Sequence, residues 1–256
     1  MSTIQDLFQQ AQLAEAAYAN FFDDAGNLIT TESQLKTALT TGDGKFSQAQ
    51  ATDFVLHWRV VSQQPNTSSG FSATVFESLD HPGTYSYAVR GTEPLFANPA
   101  DLLSADARGV FLDGIALDQV VDMYNDWQRL THLGAYQAMT LETQLVETAA
   151  YKLAQAGLFV LAFNMTASAY LNWINSRTDI VIDQPLGLIR KITPILSTDL
   201  FTDNRQFGSN ALAGQTVEVA GHSLGGHLAR NLRDRPRFNF RTPPTPPVPP
   251  SSYLFR

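Results

Sequence analysis

The five residues Gly221-His222-Ser223-Leu224-Gly225 fit the pattern G-x-S-x-G, which presents a serine hydroxyl for attack on an acyl group. A serine hydroxyl is a weak nucleophile, so this chemistry needs a base for its proton and hydrogen-bond donors for the oxyanion that forms. It also needs a strand running into the motif and a helix leaving it, which sets the serine on a sharp turn with backbone N–H groups behind it. Both flanks read that way. Thr216-Val217-Glu218-Val219-Ala220 is a strand pattern and Gly226-His227-Leu228-Ala229 a helix start, while the flanking glycines keep side chains clear of the turn. Ser223 is therefore the candidate catalytic nucleophile; the plainer reading is a glycine-rich strand-to-helix turn.

A second segment, Tyr87-Ala88-Val89-Arg90-Gly91-Thr92, reads as a strand ending in a turn. Thr92 follows a permissive glycine, so its N–H and hydroxyl can both turn towards a carbonyl oxygen. Together the two segments resemble the α/β-hydrolase lipases, class 3 and similar secreted bacterial lipases. Residues Val219 to Ala229 are similar to the nucleophile elbow of that family, and Tyr87 to Thr92 to its Arg-Gly-Ser/Thr oxyanion turn. The resemblance covers residues 1–229 loosely and these two motifs specifically. It implies an α/β-hydrolase-like fold of the α/β class and hydrolysis of carboxylic esters, with lipid-like esters preferred. It also implies an oxyanion hole made by Thr92 and the N–H of Leu224, and secretion without an N-terminal signal peptide. No cofactor is called for, and no metal site is expected within these residues.

The pattern breaks after the elbow. The family places its acid and then its histidine well downstream of the serine, whereas here only His227 and Asp234 follow Ser223. His222 adjoins the serine on a strand, where neighbouring side chains point to opposite faces, and His227 reads as a packed or partly exposed helix residue. His57, His81 and His132 depend on a fold the sequence does not reveal, with His81 in a solvated turn. Asp122 and Asp126, one helical turn apart beside Trp127, read as a solvated helix face. The expected reading is thus an incomplete α/β-hydrolase-like unit lacking the strands after the nucleophile helix. Its alternative function is a catalytically incomplete remnant that binds without turnover. The sheet edge left open would invite self-association, which light scattering reads.

Positioning elements can be read from periodicity. Ile4, Leu7, Phe8, Ala11, Ala14 and Tyr18 share one face of a first helix that Ser2 can cap, and a second helix runs from near Ser47 towards His57. Phe71 to Phe76 and Tyr85 to Arg90 alternate with period two around Asp80-His81-Pro82-Gly83, which predicts a hairpin. Leu117, Val120, Val121, Tyr124 and Trp127 predict a helix, and Leu141, Leu145, Ala149 and Leu153 another. Residues 157–200 are apolar, with a strand-like Ile180-Val181-Ile182, and form either a lid or acyl-binding wall or a buried core segment.

Composition bounds the rest. The 256 residues, 44% hydrophobic and 16% charged, suffice for one sizeable core. No cysteine is present, which removes disulfides, thiolate metal sites and a cysteine nucleophile. A net charge of −7 argues against nucleic-acid binding. No stretch is uninterruptedly apolar over the ~18 residues of a membrane span, and the N-terminus does not read as a signal peptide. The charge is unevenly spread: residues 230–256 hold six arginines and one acid, and seven of the 13 prolines fall between Pro236 and Pro250. This divides the chain into a core at 1–229 and an Arg/Pro-rich extended tail at 230–256. The change predicts a truncated or out-of-frame reading beyond Ala229, which the other two nucleotide frames would test.

Overall fold

The computed structural model describes residues 4–91, 117–145, 152, 153, 156, 180–183, 188–221, 225, 226 and 228. Its helices are α1 (Ile4–Ala16), α2 (Glu32–Thr40), α3 (Gln48–His57), α4 (Leu117–Thr131) and the short α5 (Ser197–Leu200). Its strands are β1 (Trp58–Gln64), β2 (Ala73–Ser78), β3 (Thr84–Val89), β4 (Leu133–Gly134) and β5 (Gln137–Leu145). They continue with β6 (Ile180–Asp183), β7 (Leu188–Leu196), β8 (Gly208–Ser209) and β9 (Thr216–Gly221). The protein is of the mixed α/β kind. The expected tail at 230–256 lies outside the described residues.

The central element is a four-stranded mixed sheet in the order β1-β2-β3-β9. β1, β2 and β3 are antiparallel neighbours, and β9 joins β3 in parallel. The hairpin predicted around Asp80 to Gly83 is the β2–β3 pair, with Gly83 at φ +86° supplying the left-handed turn residue. Alternation sends residues to two separate cores. Phe76, Ala88 and Ala220 pack under α1, α2 and α3, whereas Val75, Tyr87 and Val89 pack under α4 with Leu212 and Leu228. In β1, alternation gives Val60 to the first core and Val61 to the second, and a bulge between Val60 and Ser62 lets Ser62 also face α4, where its hydroxyl meets Arg129.

The helix start at Ser47 follows from local chemistry. Its side chain accepts from the Gln50 N–H while the Gln50 side chain accepts from the Ser47 N–H, a reciprocal cap. The predicted face of α1, in contrast, is mostly exposed: Ile4, Leu7, Phe8 and Ala11 face solvent and of that stripe within the helix Ala14 is buried, whereas the helix buries Leu13 and Ala16 from another side. Periodicity defines an apolar stripe but not which side of the helix meets the core, and α1 meets it through Leu13 and Ala16.

The helix expected from Leu141 and Leu145 is instead a strand. β5 pairs antiparallel with β7 over nine residues, and β6 pairs with the other side of β7. That long-range pairing overrides a helical spacing of leucines that carries little propensity of its own. Lys152 and Leu153 are helical, and Ala149 lies outside the described residues. The strand read at Ile180 to Ile182 is β6.

Candidate active site

Ser223, Leu224 and Thr92, with His222 and His227, lie outside the described residues. What is described is the frame on either side of them. β3 and β9 run parallel with Val89 opposite Gly221, so both motifs leave the same end of the sheet from adjacent strands. Beyond β9, Gly225, Gly226 and Leu228 are helical. Gly221 and Gly225 are in backbone contact: a Cβ on Gly221 would lie 2.7 Å from the Gly226 nitrogen. Four residues of extended chain would span about 13 Å, so strand and helical turn meet at a sharp corner. Gly225 in turn sits on the end of β3, where a Cβ would lie 2.9 Å from the Arg90 carbonyl. No side chain fits at either glycine. Leu228, fully buried, anchors the helical turn in the core under α4.

Sheet direction also sorts the histidines. β2 runs back from the Val89 level and β1 starts beside its far end, so Ser78 and Trp58 lie at the opposite end of the sheet, about 17 Å away at ~3.3 Å per residue. His57 precedes Trp58 there, with its Nδ1 2.7 Å from Asp80 Oδ2 and its Nε2 3.7 Å from Asp53 Oδ1. His81 is exposed in the β2–β3 turn at the same end, as its turn position predicted. His132 follows the C-terminus of α4. That helix starts near the elbow end, where Gln119 Nε2 donates to the Ser69 carbonyl, and finishes beside Leu212, just before β9. The His132 Nδ1 lies 3.0 Å from the Gln128 carbonyl. All three described histidines belong to the far end.

Asp122 and Asp126 do not lie on a solvated face. Asp126 is buried and accepts from the Tyr87 hydroxyl at 2.8 Å and from Arg129 Nη2 at 2.6 Å. Asp122 is partly buried and accepts from the Ser69 hydroxyl at 2.7 Å. Burial raises the Asp122 pKa, and hydrogen bonds from Thr67 and Ser69 oppose this only in part. Burial, then the Asp126 charge, pushes the Tyr87 phenol well above its ordinary range. The helical spacing missed this because α4 presents two of its sides to neighbours. One meets the sheet, and another meets β5, where the Asn125 amide donates to the Met139 carbonyl and accepts its N–H. Arg129, three residues after Asp126, was the available signal, since opposite charges at that spacing share a helix face.

Among the described residues no group of three or more His, Cys, Asp or Glu is arranged to hold a metal ion, and no helix is long and apolar enough to cross a membrane. Comparison with known protein families, with curated proteins and with solved structures finds no match to this chain.

Proposed function

We propose that the chain is a serine hydrolase of carboxylic esters, of α/β-hydrolase-like construction, with Ser223 as nucleophile. The observation that carries this reading is the glycine corner. Gly221 and Gly225 touch through backbone alone, directly beside the end of β3. Such a corner suits a serine held between a strand end and a helix N-terminus, where backbone N–H groups face a developing negative charge. Ser223 attacks the ester carbonyl and its proton passes to the departing alkoxide, the N–H groups of Thr92 and Leu224 hold the oxyanion, and water then cleaves the acyl-serine to release the acid and restore Ser223. A fluorophosphonate probe tests the proposal. Wild type should label at Ser223, Ser223→Ala should not, and both should melt alike. Absence of labelling in folded wild type would end this reading.

One observation favours the second reading, a remnant that binds without turnover. His57, His81 and His132 sit at the far end of the sheet, which leaves His222 and His227 as the histidines of this chain near Ser223. If neither serves as base, residual catalysis falls to what oxyanion stabilisation and binding provide, on the order of 10³–10⁴ over water. Turnover of p-nitrophenyl butyrate at that level, indifferent to every histidine variant, would show a depleted hydrolase; binding of the ester with no turnover would favour the remnant.

A further inference from the structure

The buried polar row between α4 and the sheet has no part in the chemistry above. Tyr87 lies on β3, two residues before Val89, and its ring meets Trp127 edge-on with centroids 5.7 Å apart. Its hydroxyl donates to Asp126 Oδ2, Arg129 donates to Asp126 Oδ1 through Nε at 3.0 Å and Nη2 at 2.6 Å, and Nη2 also reaches Ser62 Oγ at 3.1 Å. The Asp126 and Arg129 side chains are 2% and 8% exposed. Such a row adds little net stability over apolar side chains of the same volume, because desolvation offsets the attraction. What it does supply is a fixed geometry, since each group would be left unpaired by a small shift.

The place where that geometry matters is two residues on. β3 ends at Val89, and Gly225 rests on the Val89 and Arg90 carbonyls with no slack. Close-packed interiors transmit displacement rather than absorb it, so a shift of β3 at Tyr87 moves the seat of the elbow. From this geometry we infer that Tyr87, Asp126 and Arg129 are positioning residues, holding the end of β3 against the elbow glycines and thereby setting the oxyanion turn relative to Ser223. The mechanical part stands on the contacts alone; the consequence for catalysis rests on the proposed nucleophile.

Tyr87→Phe in the full chain is the test, because it removes one hydroxyl and keeps the ring. Amide hydrogen exchange should quicken at Val89, Arg90, Gly91, Gly225 and Gly226 and stay unchanged at Arg59, Glu77 and Tyr85. The rate constant for fluorophosphonate labelling should fall about tenfold or more, as expected of misplaced reacting groups, with the reagent's apparent affinity unchanged. Asp126→Asn should act in the same direction, and Ser62→Ala, at the outer end of the row, less. Exchange that is unaltered, or faster throughout the sheet, overturns the inference, as does local loosening with an unchanged labelling rate. Local loosening in a protein whose wild type never labels overturns the nucleophile and leaves the mechanical coupling standing.

Discussion

Gly225 has no room for a side chain, and the atoms it would strike are backbone. In Gly225→Ala the new Cβ meets the Arg90 carbonyl at 2.9 Å, so β3 or the elbow must move. Overpacking of this kind costs about 1–3 kcal/mol and more where the neighbour cannot yield. Gly83 has a left-handed φ but nothing within 4 Å of its would-be Cβ, so Gly83→Ala should cost only the backbone strain of about 1–2 kcal/mol. Urea denaturation of both variants compares them, and an equal or smaller loss for Gly225→Ala would contradict the close contact. The histidines give a second residue-level prediction. His57→Ala, His81→Ala and His132→Ala should label at the wild-type rate, because all three lie away from the elbow; a well-folded variant among them that fails to label would refute their placement.

At the scale of elements, α4 is held by side-chain amides and carboxylates as much as by apolar contact. Asn125 satisfies both main-chain groups of Met139 on an outer strand of the β5-β7-β6 sheet, so Asn125→Ala leaves a donor and an acceptor without partners. At about 1–3 kcal/mol for each such group, this change should cost more than Ser47→Ala, where loss of the α3 cap is worth about 1 kcal/mol. Chemical denaturation of the two variants decides the order. A cheaper Asn125→Ala would mean that water replaces the amide and that β5 is not tied to α4 in this way.

For the whole molecule, two carboxyls shape the acid limb in opposite directions. At Glu77, burial raises the pKa, but hydrogen bonds from Arg59 and the Gly83 N–H outweigh it and the net shift is downwards. Its stabilisation is therefore complete above the unfolded carboxylate pKa and is lost as pH falls through the folded value. Asp122 is shifted upwards, chiefly by burial. Its contribution is complete below the unfolded pKa and is lost as pH rises through the folded value. Glu77→Gln should flatten the loss of stability in acid, and Asp122→Asn should gain on wild type with rising pH through the carboxylate range. Melting temperatures across pH 3 to 7 (about the range where carboxylates titrate) check both; a parallel displacement of either curve would rule out the linkage.

The strand into Gly221, the β2–β3 hairpin and the helix starting at Ser47 were legible in the sequence because each depends on neighbours within a few residues: alternation, a Pro-Gly turn, a reciprocal cap. The glycine spacing around Ser223 marked a candidate corner for the same reason. Tertiary structure decided what depends on distant partners. Leucines at helical spacing became β5 because nine residues of β7 pair with them, and most of the α1 stripe stayed exposed because the helix meets the core through Leu13 and Ala16 instead. The carboxylates of α4 became interior because Tyr87 and Ser69, far away in the chain, supply their partners. The far-end position of His57, His81 and His132 follows from strand direction, which no local pattern encodes, since a histidine carries the same local signal at either end of a sheet.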